Sequence, residues 1–332
     1  MPERYVRAPM EDRIRAALAS HGAELKQVKP LHGGACQENF RVDIELEGKP
    51  LRLALRSDAP SSLPGSIRRR EEFQVIEAAV RAGVKTPAAR WLHDSLLRDG
   101  ASAYFLDWVP GEAIGRRVVR NPELEAARQQ LPESLAQTLA RIHSVKDALP
   151  FPKPQSPSLA ALEQLRTMLD GIPAPYPAIE YAIAWLQAHA PTNEEVVLVH
   201  GDFRTGNFMV TPEGFAALLD WEFAHLGSPY EDLAWVSVRD WRFNRLDQPV
   251  GGFAKRAPFY AAYERTSGRT VDLAQIFWWE ICGNVRWAVG SLYQGERYLS
   301  GQQQDLELIA IARRSVEMEF EALRLIQRGR VE

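Results

Sequence analysis

The sequence is poor in cysteine and has no long apolar run, and both absences exclude classes of protein. Only two cysteines occur in 332 residues, Cys36 and Cys282, and neither has a cysteine or histidine neighbour at metal-ligand spacing. We therefore expect neither a disulfide framework nor a zinc site. No segment reaches the roughly 18 apolar residues that a membrane-spanning helix needs, and the N-terminal residues lack the apolar core of a signal peptide. We expect a soluble, cytoplasmic protein without a membrane partner.

The chain also lacks a strong charge of either sign. Its formal net charge is -3, and its basic residues are scattered instead of forming a strip interleaved with aromatic residues. No nucleic-acid partner is therefore expected. The composition is 45% hydrophobic, which at this length supplies enough core for two domains or for one large bilobal unit.

The densest chemistry lies in residues 196–232. Three short strands are predicted there, at 196–199, 208–210 and 215–219. A polar turn separates the first strand from the second, and a Thr-Pro-Glu-Gly turn joins the second to the third. The hairpin is therefore expected to bring Asp220, at the end of the third strand, back beside Asn207.

Four residues of this segment match the chemistry of phosphoryl transfer from a magnesium nucleotide. Asn207 follows Asp202 by five positions, and Asp220 follows Asn207 by thirteen. We interpret Asp202 as the base that accepts the proton of an acceptor hydroxyl, and Asn207 and Asp220 as oxygen ligands of Mg²⁺. Arg204 would neutralise charge on the moving phosphoryl group. The alternative is that these residues only cap turns and end a strand.

The same residues carry a resemblance. HGDFRTGN at 200–207, followed by LDWE at 219–222, resembles the catalytic segment of the aminoglycoside phosphotransferase and choline kinase-like family, small-molecule relatives of the protein kinases. Asp220-Trp221-Glu222 stands where protein kinases carry Asp-Phe-Gly. HGDFR-x-GN with DWE looks most like the branch of the family associated with acyl-CoA dehydrogenases.

Two elements near the N-terminus resemble the nucleotide-binding parts of that family. Strands predicted at 28–31 and 39–46 flank Gly33 and Gly34, which could let the backbone approach a phosphate or could form a simple turn. In the next strand, 51–56, LALR resembles the Val-Ala-Ile-Lys strand of kinases. The resemblance places Ala54 at the adenine and Arg56 in the position of the phosphate-binding lysine; the alternative is a surface arginine.

A helix and a hinge complete this part. The helix is predicted at 66–82 with Phe73, Ile76 and Val80 as its buried stripe. The resemblance assigns Glu72 to orient Arg56, with Glu71 as the competing candidate. After a strand at 103–108, the segment Leu106 to Gly111 resembles the family's hinge. There the carbonyl of Asp107 and the amide of Val109 would bind adenine.

The C-terminal part is predicted to be mainly helical. Helices are expected at 121–145, 158–170, 178–190 and 303–328. In the last, apolar residues three or four apart predict the packing face: Leu306, Ile309, Ala312, Val316, Phe320 and Leu323. Several tryptophans, together with Asp240, Arg242, Glu280 and Arg286, fit either an acceptor pocket or the packing of helices. Glu222 fits a role at the metal or acceptor and fits a structural role equally.

The resemblance implies an α+β, bilobal protein kinase-like fold, with a small antiparallel β N-lobe carrying one main helix and a larger, mainly helical C-lobe. It implies a nucleotide-binding lobe over 1–107 and a catalytic, acceptor-binding lobe over 108–332. The implied activity is phosphorylation of a hydroxyl group of a small molecule, such as a hydroxyacyl-CoA, with ATP and Mg²⁺. Aminoglycoside, amino-alcohol or sugar acceptors are alternatives, and so is a nucleotide-binding pseudokinase that acts as an interaction module.

Overall fold

The protein divides into two compact units. The computed structural model describes residues 3–31, 37–59 and 63–331, so the predicted glycine turn at Gly33 and Gly34 lies outside the described residues. The first unit comprises 1–110, 147–150 and 216–224, and the second comprises 111–146, 151–215 and 225–332. The assignment of nucleotide binding to 1–107 and of catalysis to 108–332 stays a prediction.

The first unit is built on an antiparallel five-stranded sheet. Its elements are α1 (Glu3–Ala19), β1 (Ala23–Pro30), β2 (Gln37–Leu46), β3 (Lys49–Asp58), α2 (Arg69–Arg81), β4 (Ala89–Asp94) and β5 (Ser102–Asp107). The strand order is β1-β2-β3-β5-β4, so β3 is the central strand. Leu53 and Leu55 alternate along β3 and are buried in one cluster with Ile14 and Leu18 of α1. The alternation read from the sequence thus puts the apolar face of β3 into the core.

The buried face of α2 differs from the predicted one. Ile76 is buried, but Val80 is 40% exposed, and Val75 and Ala79 are buried in its place. Glu72, which is not part of the predicted stripe, is also fully buried. The periodicity is correct but the face is rotated, because a buried ion pair of Glu72, described below, requires that side chain to point inward.

The second unit is mainly helical. Its elements are α3 (Gly115–Arg120), α4 (Glu125–Ile142), α5 (Pro157–Asp170), α6 (Pro177–Ala188), β6 (Val197–Val199), β7 (Phe208–Thr211), β8 (Gly214–Leu218), β9 (His225–Gly227), α7 (Pro229–Trp235), α8 (Arg256–Ser267), α9 (Leu273–Leu299), α10 (Leu306–Ala312) and α11 (Ser315–Arg328). The boundary with the first unit falls inside β8. Helix α9 contributes Val285 and Val289 to a core shared with Ile183 and Leu186 of α6. Among the described residues, no helix is long and apolar enough to cross a membrane.

The predicted final helix at 303–328 is wrong in two respects. The chain forms two helices, α10 and α11, with a turn at Arg313 and Arg314. The predicted packing face is also not the buried one, since Leu306, Val316 and Phe320 are exposed and Ile309, Ala312 and Leu323 are only half-buried. A second stripe is buried in its place: Leu308, Met318, Ala322 and Leu325. Both stripes have helical spacing, and periodicity alone does not choose between them.

This correction predicts a large effect for one alanine substitution in α11 and almost none for another. Leu325→Ala removes a side chain that is 1% exposed, and we expect the free energy of unfolding to fall by about 2–5 kcal/mol. Phe320→Ala changes a side chain that is 59% exposed, and a change within about 0.5 kcal/mol is expected. Urea denaturation of the two variants measures both values. A larger loss for Phe320→Ala would restore the face predicted from the sequence.

Candidate active site

The polar loop after β6 is held by one buried carboxylate. Asp232 of α7 accepts hydrogen bonds from the N–H groups of His200 (2.7 Å) and Gly201 (2.9 Å), and its Oδ2 lies 3.4 Å from Nε2 of His143. Burial tends to raise the pKa of the Asp232 carboxyl, but the hydrogen bonds from His143 and from the backbone of His200 bring it below its ordinary value of 3.8. His143 is fixed in turn by the hydroxyl of Tyr263, 2.8 Å from its Nδ1. The backbone of the loop is therefore held in place by the buried side chain of Asp232.

Asp232→Asn is expected to destabilise the protein by about 3 kcal/mol at neutral pH, because it removes a buried, hydrogen-bonded charge. A lowered pKa in the folded state gives stability that is present above the pKa of the unfolded state and is lost as the pH falls through the folded-state value. The difference from wild type should therefore shrink below about pH 4. Urea denaturation at several pH values measures it, with exposed Asp170→Asn as control. A difference independent of pH would contradict this role.

The carboxylate of Asp202 is oriented by three side-chain donors. The indole Nε1 of Trp235 donates to Oδ1 (2.8 Å), and Nδ2 of Asn207 donates to Oδ2 (2.7 Å). Nε of Arg204 lies 3.0 Å from both oxygens. Only 8% of Asp202 is exposed. The three donors therefore fix the orientation of a carboxylate that is largely buried.

The guanidinium of Arg204 lies against an aromatic ring, and a glycine leaves the space that it occupies. Its guanidinium lies 4.4 Å from the ring centroid of Trp241, a cation–π distance. Gly206 has φ +120°, and a Cβ there would lie 2.4 Å from Nη1 of Arg204. A side chain at 206 would therefore strain the backbone and displace the guanidinium.

Asn207 presents a hard oxygen. Its Nδ2 donates both to the backbone carbonyl of Asp202 (2.9 Å) and to the Asp202 carboxylate. The amide is thus oriented with its nitrogen toward Asp202 and its oxygen away from it. That orientation suits a ligand of Mg²⁺.

In the first unit, Arg56 bridges two carboxylates. Its Nη2 lies 3.2 Å from Oε1 of Glu72 and 2.8 Å from Oδ1 of Asp220. Burial opposes its charge, but the neighbouring Glu72 and Asp220 keep the pKa of Arg56 above its ordinary value. Asp220 has φ +68°, a left-handed conformation that aspartate and asparagine tolerate better than most residues. Of the two glutamates considered from the sequence, Glu72 is the one that pairs with Arg56.

The other predicted nucleotide contacts lie on the same sheet and at its exit. Ala54 of β3 is opposite Leu106 of β5. The N–H of Asp107 donates to the carbonyl of Ala88 at 3.0 Å, so the predicted hinge contact requires the carbonyl of Asp107 and the amide of Val109. The roles of Ala54, Asp107 and Val109 stay predictions.

The predicted site residues fall into two groups. Asp202, Arg204 and Asn207 come together in the second unit, while Asp220 belongs to the first unit with Arg56 and Glu72. Within the described ranges, no cluster of three or more histidine, cysteine, aspartate or glutamate side chains could hold a metal ion. The predicted metal ligands are instead one amide and one carboxylate oxygen, a donor set that Mg²⁺ accepts when water and phosphate complete its coordination.

Sequence reasoning does not predict the contacts of several candidate residues in the second unit. Trp235 is one of the tryptophans that fit either a pocket wall or the core, and no local signal in the sequence links it to Asp202, to which its indole donates. Glu280 and Arg242 are buried and paired at 2.8 Å, and Glu280 also binds Arg256 at 2.6 Å. This ion cluster favours the packing interpretation for Arg242 and Glu280.

These features define the class of protein. An antiparallel sheet carries a buried Arg–Glu pair, and a helical unit presents an oriented aspartate with an asparagine five positions later, as in kinase-like phosphotransferases. The chain belongs to the phosphotransferase enzyme family, whose model matches residues 27–268. The family predicted from the sequence is confirmed.

Two relatives by sequence are considerably longer than this chain. Acyl-CoA dehydrogenase family member 10 of Mus musculus is 29% identical over 244 residues, which are 68% of this chain and 21% of the relative. Acyl-CoA dehydrogenase family member 11 of Homo sapiens is 29% identical over 194 residues, 55% of this chain and 25% of the relative. The chain thus spans only about a quarter or less of the length of these relatives.

Solved structures share the fold. An aminoglycoside phosphotransferase-like protein of Ralstonia eutropha has a TM-score of 0.74 at 20% identity, over 96% of this chain and 98% of that one. A choline kinase of Streptococcus pneumoniae has a TM-score of 0.63 at 18% identity, over 95% and 100%. Spectinomycin phosphotransferase, solved with ADP and spectinomycin, has a TM-score of 0.63 at 15% identity, over 94% and 98%. The predicted kinase-like fold class is confirmed.

Proposed function

We propose that the protein transfers a phosphoryl group from ATP to a hydroxyl group of a small molecule, and that it requires Mg²⁺. The observation that carries this proposal is the Asp202 carboxylate, which Trp235, Asn207 and Arg204 orient with donors at 2.7–3.0 Å. Asp202 accepts the proton of the acceptor hydroxyl. Positioning and charge neutralisation supply most of the catalysis in such sites.

The remaining site residues act on the phosphate side. Arg204 neutralises charge on the transferred group, and Arg56, oriented by Glu72, binds the phosphates of the nucleotide. Asn207 and Asp220 would hold Mg²⁺, which when bound neutralises phosphate charge. Ala54 and the backbone of Asp107 and Val109 would contact the adenine. ADP in the spectinomycin phosphotransferase structure supports a nucleotide in this fold.

The charges near Asp202 favour an acceptor that is not a polycation. Arginines already pair with the acidic groups of this region: Arg204 with Asp202, Arg286 with Glu231 and Arg314 with Asp240. An aminoglycoside would need acidic groups without such partners. We therefore propose a hydroxyacyl thioester of coenzyme A as the acceptor. The names of the relatives, acyl-CoA dehydrogenase family members, support an acyl-CoA context.

An acceptor screen tests this proposal. The protein is incubated with ATP and Mg²⁺ and with hydroxyacyl-CoAs, aminoglycosides, choline or sugars, and the products are analysed by mass spectrometry. We expect a phosphorylated hydroxyacyl-CoA and formation of ADP in equal amount. Phosphorylation of an aminoglycoside, choline or a sugar alone would contradict the acceptor class, and no phosphorylated product from any acceptor would contradict the activity.

Trp235→Phe tests the orientation of Asp202. The substitution keeps the aromatic packing and removes the N–H donor 2.8 Å from Oδ1, so we expect kcat to fall by roughly tenfold, about the worth of one hydrogen bond to a charged group. The affinity for ATP should stay at the wild-type value. Steady-state kinetics and a direct nucleotide titration measure the two quantities, with Trp185→Phe, in which the original ring stacks on His189 at the end of α6, as the control. Unchanged kcat would argue that Trp235 only packs.

One observation favours a second function, that of a nucleotide-binding interaction module. Arg56 takes the position of the usual lysine and lies 2.8 Å from Asp220, a predicted metal ligand. A module of this kind would bind nucleotide and release no ADP in the acceptor screen. ADP formation that depends on an acceptor would exclude it.

A further inference from the structure

Glu72 binds two arginines with separate oxygens. Oε1 lies 3.2 Å from Nη2 of Arg56, and Oε2 lies 2.7 Å from Nη1 of Arg69. Glu72 is 0% exposed and Arg69 is 4% exposed. A buried carboxylate is strongly destabilising unless charged partners surround it. The shorter of the two contacts is the one to Arg69, so Arg69 has a large part in fixing where Glu72 lies.

Arg69 also reaches the segment that follows Asp220. Its Nη2 donates to the carbonyl of Ile67 (2.9 Å) and lies 3.9 Å from Oε2 of Glu222. The N–H of Ile67 donates to the carbonyl of Glu222 at 2.8 Å. The residues just before α2 are therefore connected to the Asp-Trp-Glu segment by a backbone hydrogen bond, and the Arg69 guanidinium contacts both.

The end of β3 belongs to the same arrangement. Oδ1 of Asp58 accepts the backbone N–H of Arg69 (2.8 Å) and lies 3.8 Å from its Nε. Asp58 thereby satisfies the first amide of α2, which its N-cap residue Arg68 does not cap with a side chain. Arg69 thus contacts groups from β3, from α2 and from the segment after Asp220.

The Asp-Trp-Glu segment is also fixed by hydrogen bonds that involve Thr86. Nε1 of Trp221 donates to Oγ1 of Thr86 (3.0 Å), and that hydroxyl donates to the carbonyl of Leu218 (2.8 Å). Asp220, between these two anchors, meets Arg56 at 2.8 Å. A shift of Arg69 would move Glu72 directly, and it would move Asp220 through the nearby Glu222. Glu72 and Asp220 are the two carboxylates that orient Arg56.

We propose that Arg69 is a positioning residue of the nucleotide site: it fixes Glu72 and the Asp-Trp-Glu segment so that Arg56 is held ready for the phosphates. The inference rests on the proposed function, because it assumes that Arg56 binds nucleotide phosphate. Arg69 acts through Glu72 and the Asp-Trp-Glu segment, and it is itself buried, with 4% of the residue exposed. An arginine at position 56 is longer than a lysine and carries several donors. The orientation of its guanidinium therefore depends on carboxylates that are themselves held in place.

The neighbouring Arg70 is the matched control. It lies on the same helix and pairs with Asp94 at 2.5 Å, but its side chain is 46% exposed and that of Asp94 is 65% exposed. Surface pairs of this kind contribute little to stability. Arg69→Met and Arg70→Met therefore remove the same group from adjacent positions, and only the first removes a contact to Glu72.

The experiment is a titration of each folded variant with ATP in the presence of Mg²⁺, with thermal unfolding as the check of folding. We expect Arg69→Met to weaken ATP binding by roughly tenfold or more, a typical coupling between residues in contact. Arg70→Met should bind as the wild type does. Arg69→Lys keeps the charge but not the fork of donors, and it should bind with intermediate affinity, so it replaces Arg69→Met if that variant does not fold.

A double variant separates positioning from general destabilisation. Because Arg69 acts through Glu72 and also contacts the Asp-Trp-Glu segment, adding Arg69→Met to Glu72→Gln should weaken ATP binding by clearly less than the product of the two single effects. Additive effects, or affinity of the folded Arg69→Lys and Arg69→Met variants equal to that of Arg70→Met, would overturn the inference. Absence of Mg²⁺-dependent ATP binding by the wild type is a different result: it would overturn the proposed function, and the inference with it.

Discussion

Replacing Asp202 with asparagine is expected to lower kcat by about 10²–10⁴-fold, the usual contribution of a general base, and to leave the affinity for ATP unchanged. The substitution preserves the shape of the side chain and keeps an oxygen for one of the two donors Trp235 and Asn207, which bind different oxygens of the carboxylate. It removes the negative charge that pairs with Arg204 and that accepts the proton of the hydroxyl. The two effects separate because Asp202 acts on the acceptor and not on the nucleotide.

Single-turnover kinetics and a nucleotide titration measure these two effects. Asp247→Asn is a suitable control, because the Asp247 side chain belongs to the same unit and is 62% exposed. The control should retain the kcat of the wild type. Full activity of Asp202→Asn would remove Asp202 from the mechanism, and a loss of ATP binding in a folded variant would assign it to the nucleotide.

Asp220→Asn should weaken ATP binding in the presence of Mg²⁺ by at least the roughly 10- to 100-fold that the loss of an outer-shell partner costs a metal site. The asparagine tolerates the φ of +68° at this position, so backbone strain does not enter the comparison. The expected signature is the loss of the Mg²⁺ requirement itself: ATP affinity should become similar with and without the ion.

Titrations of ATP at several Mg²⁺ concentrations test this expectation, with Asp99→Asn as control, since Asp99 lies in the same unit and is 99% exposed. Thermal unfolding without ligand measures what the loss of the contact between Arg56 and Asp220 costs the fold. A variant that keeps the Mg²⁺ dependence of the wild type would contradict the role of Asp220 as a metal ligand.

The local parts of the fold and site were readable from the sequence. The strand, turn and hairpin of the catalytic segment depend on neighbours within a few residues, and they appear as β6, β7 and β8. The pattern of Asp202 and Asn207 is equally local, because Asn207 is only five positions after the Asp202 to which it donates a hydrogen bond. The choice of Glu72 as the partner of Arg56 followed from resemblance and not from periodicity.

The parts that depend on tertiary packing were not readable. Trp235 is 33 positions from Asp202, and no spacing rule connects an indole to a distant carboxylate. The C-terminal helices contain two apolar stripes, and the one headed by Leu306 was chosen although Leu308 is the buried residue. Which stripe is buried depends on the neighbouring helix and not on the stripe itself.

The most direct test of the central claim is the melting temperature of the protein with ATP alone, with Mg²⁺ alone and with both. A ligand that binds only the native state stabilises it, by about 2.7 kcal/mol at a concentration of 100 Kd. We predict a clear increase that requires ATP and Mg²⁺ together. The same melting temperature under all three conditions would contradict the claim that this chain is a magnesium-dependent nucleotide phosphotransferase.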